Sequence, residues 1–152
     1  MKKSNEVLWI DNDIYLFQNC LKDLQSKQGT FVMQDDLWGP CTGFFLVRSG
    51  SLAISKIHSS IQWLKSNTNP EVNDQHAFHT SLKKFPFVGI TLLDREEYPN
   101  GQIYFNQKKT SRAKIVHCNY LTKTSEKVDR FKAHQLWNES DEGFSKVSKY
   151  YI

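Results

Sequence analysis

Long apolar runs are missing from this 152-residue chain. No stretch approaches the ~20 residues that a membrane span needs, and the opening MKKSNEV has two lysines with no apolar segment behind them to make a signal peptide. Cysteine is scarce too. Cys20, Cys41 and Cys118 are odd in number and widely spaced, which fits neither a disulfide framework nor a CxxC zinc pair, so reduced thiols and a reducing compartment are the expectation. There are no internal repeats or low-complexity segments. A long basic run is lacking as well: the formal net charge is +4 and the lysines are scattered. Nucleic-acid binding therefore gets little support, and a phosphate-bearing small ligand suits the same balance equally well.

What is present suits one ordinary globular domain with a sizeable core, at 39% hydrophobic and 24% charged residues. Glu6 to Ile10 is apolar without alternation and reads as a central strand covered on both faces. Ile14, Phe17, Leu21 and Leu24 recur at helical spacing, with Gly29 placed to end that helix, and Thr30 to Met33 resumes a β-rich run. After the turn-rich DDLWGPC, Thr42 to Arg48 makes a second apolar strand, and Ala53, Ile57, Ile61 and Leu64 mark an amphipathic helix. Asp74 is placed to cap a helix carrying Phe78, Leu82 and Phe85. Val88 to Leu93 is another strand, Pro99-Asn100-Gly101 predicts a hairpin turn before Ile103 to Phe105, Lys114 to His117 is a last strand and Ser125 to Trp137 a last helix. Strands interleaved with helices imply an α/β domain of three layers, with a mixed sheet and helices on both faces. That domain is expected to run to residue 138, with 139–152 a polar tail that frays.

The stretch LWIDNDIYL holds the first candidate chemistry. Asp11 and Asp13, just past a strand end, can turn toward one point only where the chain leaves regular β geometry. Hard divalent cations such as Mg²⁺ or Mn²⁺ take one or two carboxylates plus substrate phosphates, so a metal–diphosphate site suits this spacing. Equally, Asp13 can simply cap the helix expected behind it, worth about 1 kcal/mol. Both roles stand at this point. Asp35 and Asp36 precede a turn, where solvated loop acids are the plain account, and Asp74 is as good a cap as a carboxylate near a reacting carbon. Tyr98, Trp38 and Trp137 offer rings for stacking on sugars, although aromatic residues at loop edges more often pack. His117 by itself reads as a satisfied histidine at the edge of a buried strand.

Later stretches follow DND in a family order: DDLWGPCTGFFLVRSG, NDQHAF, LLDREEYPNGQIYF and KIVHCNYLTKTSEKVDRFKAHQLW. Together they resemble the nucleotide-diphospho-sugar transferase family of glycosyltransferases with the A-type fold, over about Leu8 to Trp137. The resemblance implies that Asp11, Asp13 and His117 form the metal and diphosphate site, with Mn²⁺ or Mg²⁺ as cofactor. It brings Lys127 to the diphosphate, puts Thr42, Gly43 and Arg48 on the sugar and acceptor side, and gives Asp36 and Asp74 to the transferred sugar and the reacting carbon. Gly43 also has a physical reason to be there, since a residue without Cβ allows close approach to the backbone. Cys41 stands where the family usually has Asn.

The activity so implied is metal-dependent transfer of a sugar from a nucleotide-diphosphate sugar to a glycan or glycoprotein hydroxyl, with retention more common in this family. Only ten residues precede Asp11. The family carries nucleotide-binding βα units before Asp-x-Asp, so the chain is expected to correspond to the C-terminal part of the domain, needing a preceding segment or a partner chain for those contacts. Its location is cytoplasmic from these residues alone, and a secretory-pathway membrane if an anchor precedes them. A non-catalytic remnant or glycan-binding module of the same fold is the rival from another class.

Overall fold

A computed structural model describes residues 5–107 and 111–137, and the chain groups into two compact units, one ending at Asn119 and one beginning at Tyr120. The expected tail, 139–152, lies outside the described residues. The first unit is built on a four-stranded sheet in the order β1 (Glu6–Ile10), β4 (Pro40–Arg48), β3 (Phe31–Asp35), β5 (Ile90–Leu92). β4 runs antiparallel to both of its neighbours, and β3 and β5 are parallel, so the sheet is mixed as expected. A separate ladder pairs β2 (Ile14–Leu16) with β6 (Ile115–His117).

Alternation along the strands sends side chains to two cores. Val32, Phe44 and Leu46 pack on one face with Leu24, Leu93, Tyr98 and Ile115. Phe31, Met33 and Val47 pack on the other with Ala53 and Phe78. Each fully buried aliphatic or aromatic side chain of this kind contributes about 1.5–3 kcal/mol. Leu24 belongs to α1 (Leu21–Ser26), Ala53 to α2 (Ser51–Ser66) and Phe78 to α3 (Asp74–Leu82), so helices cover both faces and the three-layer α/β reading holds.

Four local expectations change. β1 is an edge strand among the described strands rather than a central one, and its Val7 and Trp9 are 58% and 53% exposed. The helix expected from Ile14 begins only at Leu21, because Ile14-Tyr15-Leu16 is β-branched and aromatic enough to pair with β6 instead. The cap of α3 is Asn73, whose side chain accepts from the His76 backbone N–H while the Asn73 N–H donates to the His76 ring, so Asp74 is the first helical residue. No hairpin follows Pro99: Asn100 Oδ1 accepts from the Ile103 N–H at 2.9 Å and starts a π-helical turn, Gln102–Gln107.

The described part of the second unit holds α4 (Thr124–Ala133), which buries Phe131 and is followed by Gln135 in the left-handed conformation at φ 58°. No helix among the described residues is long and apolar enough to cross a membrane.

Candidate metal and diphosphate site

Asp11, Asp13 and His117 meet because the ends of two ladders meet. The last pair of β1 with β4 is Ile10 with Phe44, and the next amide, Asp11 N–H, donates to the Gly43 carbonyl at 2.8 Å, which lands Asp11 over Gly43. The chain then turns out of the sheet and enters β2, where Ile14 faces His117 and the Cys118 N–H donates to the Asp13 carbonyl at 2.9 Å. Asp13 Oδ1 lies 3.2 Å from His117 Nε2. One ligand atom from each of Asp11, Asp13 and His117 lies within 4.8 Å of the other two. Since no helix follows Asp13 directly, the capping role falls away.

Asp11 and His117 are held from behind. Trp9 Nε1 donates to Asp11 Oδ1 at 2.9 Å, leaving Oδ2 on the side of Gly43 and His117. His117 is 2% exposed, and its Nδ1 is 2.8 Å from Gln34 Oε1. A Cβ at Gly43 would come within 2.3 Å of His117 Cε1, 2.7 Å of Asp11 Oδ2 and 3.0 Å of His117 Nε2. Glycine is therefore required at this point by the space into which these side chains converge. Two carboxylates and one imidazole around such a cradle form a donor set suited to a hard or borderline divalent cation. The Cys41 thiol lies 3.6 Å from His117 Nδ1, but burial, with the Asp36 and Asp11 carboxylates adding to it, pushes its pKa up to about 12. It stays a neutral thiol and adds no charge to the set.

Asp36 sits beside this cluster at the centre of an amide network. Its Oδ1 accepts from Asn119 Nδ2 at 2.6 Å and Asn100 Nδ2 at 3.1 Å, and its Oδ2 accepts from Gln75 Nε2 at 3.2 Å. Gln75 Oε1 in turn accepts from the Thr42 N–H at 3.4 Å. Its neighbour Asp35 is committed elsewhere, to a two-pronged pair with Arg95 at 2.9 and 3.0 Å.

The family model for nucleotide-diphospho-sugar transferases matches residues 2–131. The chain belongs to that family. A Dictyostelium discoideum protein named UDP-galactose:fucoside alpha-3-galactosyltransferase is 32% identical over 93% of this chain and 26% of its own length. An Arabidopsis thaliana UDP-D-xylose:L-fucose alpha-1,3-D-xylosyltransferase is 26% identical over 89% of this chain and 45% of its own. The chain thus spans less than half the length of these curated relatives. A crystal structure of a glycosyltransferase involved in glycosylation of the major capsid of PBCV-1 shares the fold at a TM-score of 0.57 and 18% identity, over 88% of this chain and 67% of the other.

Against this transferase frame the remaining expected site residues separate. Asp74 is exposed at the start of α3 and lines an apolar groove of about 390 Å³ together with Thr42, Trp9 and Ile61. Asp74 shares that groove with Trp9, the donor to Asp11, and Thr42 is linked through Gln75 to Asp36. Arg48 is not brought there. It stands at the other end of β4, roughly 17 Å along the strand from Gly43, where its guanidinium donates to the Gly29 and Gln25 carbonyls at 2.6 and 3.0 Å and pairs with Glu6 at 3.0 Å. Lys127 lies on α4, in the second unit. Tyr98 is buried with its hydroxyl bonded to Asp23, Trp38 is 88% exposed on a turn, and Trp137 is 44% exposed in the second unit.

Sequence reasoning missed Gln34, Trp9, Asn100 and Asn119. Gln34 carried a usable signal: in the run FVMQD it is the polar residue of a strand whose first four positions are all buried, and a buried amide has to find partners.

Proposed function

We propose that this chain carries the diphosphate-binding side of a glycosyltransferase that moves a sugar from a UDP-sugar to a fucose-type hydroxyl in an alpha-1,3 linkage, with retention of configuration. The convergence of Asp11, Asp13 and His117 around the Gly43 cradle, in a chain of this family, carries the reading. The two relatives above are named for UDP donors, fucose-containing acceptors and alpha linkages. A UDP-sugar alpha-linked to its phosphate that yields an alpha-linked product keeps its configuration. Retention calls for a nucleophile, or for attack on the same face guided by the leaving group.

Asp11, Asp13 and His117 are the residues that would hold Mn²⁺ or Mg²⁺, which when bound supplies positive charge to the departing diphosphate. Lys127 is the cation that the family resemblance assigns to the diphosphate. Asp36, fixed by three amide donors, accepts a hydroxyl of the transferred sugar, and Thr42 and Gly43 present backbone to the same ring. Asp74, exposed beside Thr42 at the groove, is the carboxylate assigned to the reacting carbon.

Calorimetric titration of UDP-galactose and UDP-xylose in the presence of Mn²⁺ tests the reading, comparing the parent chain with Asp13→Ala. Metal-dependent binding by the parent and its loss in the variant are expected, followed by transfer to a fucoside acceptor. A parent that binds neither nucleotide sugar with metal present would leave only a glycan-binding remnant of the fold.

A further inference from the structure

The buried glutamine behind His117 decides which imidazole nitrogen faces the carboxylates. Gln34 is fully buried, and its Nε2 lies 3.0 Å from both the Tyr98 and Pro99 carbonyl oxygens. Carbonyls only accept, so the amide nitrogen must be the group facing them, and the amide oxygen is the group turned to His117 Nδ1 at 2.8 Å. An amide oxygen only accepts as well. The hydrogen between Gln34 and His117 therefore belongs to Nδ1. The Cys41 sulfur at 3.6 Å is a weak and distant competitor for the same nitrogen. With Nδ1 committed to Gln34, Nε2 is the nitrogen turned to Asp13 Oδ1, 3.2 Å away, and so the one available on the carboxylate side.

Local backbone geometry explains how the glutamine is aimed. The pairing of β3 with β4 shifts register between Met33 and Asp35, so Gln34 falls at a bulge, a device that redirects a side chain next to a site. The Pro99 carbonyl that fixes Gln34 also accepts the His117 backbone N–H at 3.3 Å, so one turn anchors both partners.

We propose that Gln34 is a positioning residue: it holds a hydrogen on His117 Nδ1 and so fixes Nε2 as the nitrogen that faces Asp11 and Asp13. The purpose of that arrangement rests on the metal reading, whereas the hydrogen on Nδ1 does not. Outer partners of this kind change metal affinity by about 10–100-fold when lost.

The parent chain, labelled with ¹⁵N-histidine, should show a hydrogen on Nδ1 of His117 by NMR. Gln34→Leu removes the acceptor and should leave Nδ1 without its hydrogen, while affinity for Mn²⁺ alone, read by EPR, falls about 10–100-fold. Gln34→Glu, whose carboxyl can still turn an oxygen to Nδ1, should keep the hydrogen there. A parent whose His117 Nδ1 carries no hydrogen overturns the assignment without reference to any variant's folding. So does a folded Gln34→Leu with the hydrogen still on Nδ1 and parental Mn²⁺ affinity. A parent with the hydrogen on Nδ1 and no Mn²⁺ affinity supports the assignment while removing the metal reading.

Discussion

Two clusters of buried polar groups flank the sheet, and they are completed in different ways. Between α2 and α3, the Lys56 ammonium is fully buried and its three donors meet three acceptors, the Ser60 and Ser81 hydroxyls and the Phe78 carbonyl. Its protons are matched within the protein, and its cation also lies over the Phe78 ring. At the end of β1, by contrast, two carboxylates and an imidazole bring electron-pair donors to one point around a glycine. The first arrangement joins two helices; the second gathers the donor set on which the proposed cation site rests. Arg48 belongs with the first kind, since carbonyls of the protein and Glu6 take up its fork. Residue type alone does not separate a ligand-facing charge from a structural one; the count of protein partners does.

The comparison breaks most sharply at Gly43. Gly43→Ala puts a methyl into the space shared by Asp11 and His117, so metal-dependent UDP-sugar binding should fall by about 100-fold or more. The fold, meanwhile, should lose only the ~1–3 kcal/mol of an overpacked position. Calorimetry with and without Mn²⁺, beside a denaturant melt, checks both halves. Equal losses of binding and stability would mean the cradle is merely packing.

Arg48→Met is the converse. Removing a partly buried guanidinium with two carbonyl acceptors and one carboxylate should lower stability by about 1–3 kcal/mol in a denaturant melt, with nucleotide-sugar affinity unchanged. A drop in affinity larger than the drop in stability would return Arg48 to the ligand side, where its place in the Thr-Gly-aromatic strand had put it.

That pair of outcomes reflects how legible the molecule was. Strands β1, β3 and β4 and helices α2, α3 and α4 follow from apolar runs and helical spacing, because packing repeats every two or 3.6 residues leave a local trace. β2 left no such trace. Its first residue, Ile14, opens a helical stripe that continues into α1, and only pairing with β6, about a hundred residues away, makes the segment a strand. Asp11, Asp13 and His117 were legible through the order of motifs, not through spacing, since nothing local distinguishes His117 from any buried histidine. Gln34 and Trp9 act through contacts between strands or across a turn, and those appear only once the ladder registers are set.

The Lys56 cluster is testable through pH. Burial lowers the Lys56 pKa from 10.5 to about 8 in the folded chain. Between those values the unfolded chain holds a proton that the folded chain has released, so stability gains as pH rises through this window and carries the full cost of the buried cation below it. Lys56→Met removes the effect and leaves Ser60 and Ser81 bonded to each other and to backbone carbonyls, so it should be tolerated near pH 7. Stability of the parent relative to Lys56→Met should rise from about pH 8 toward pH 10.5, at most by about 1.4 kcal/mol per pH unit. A difference independent of pH would mean that the lysine is not buried as a cation.

The smallest effect is expected at Trp9, which belongs to both sides of the comparison. Half of its surface is exposed beside the apolar groove, yet its indole N–H fixes Asp11 Oδ1 and so turns Oδ2 toward His117. Trp9→Phe keeps an aromatic ring at the groove and removes only the donor. If orientation of Asp11 is what the indole supplies, Mn²⁺ affinity should fall about tenfold with stability within about 0.5 kcal/mol of the parent. If the ring matters instead for packing, Trp9→Phe should leave Mn²⁺ affinity untouched while Trp9→Ala lowers stability, and the hydrogen bond to Asp11 would then be a consequence of the turn and not a support of the site.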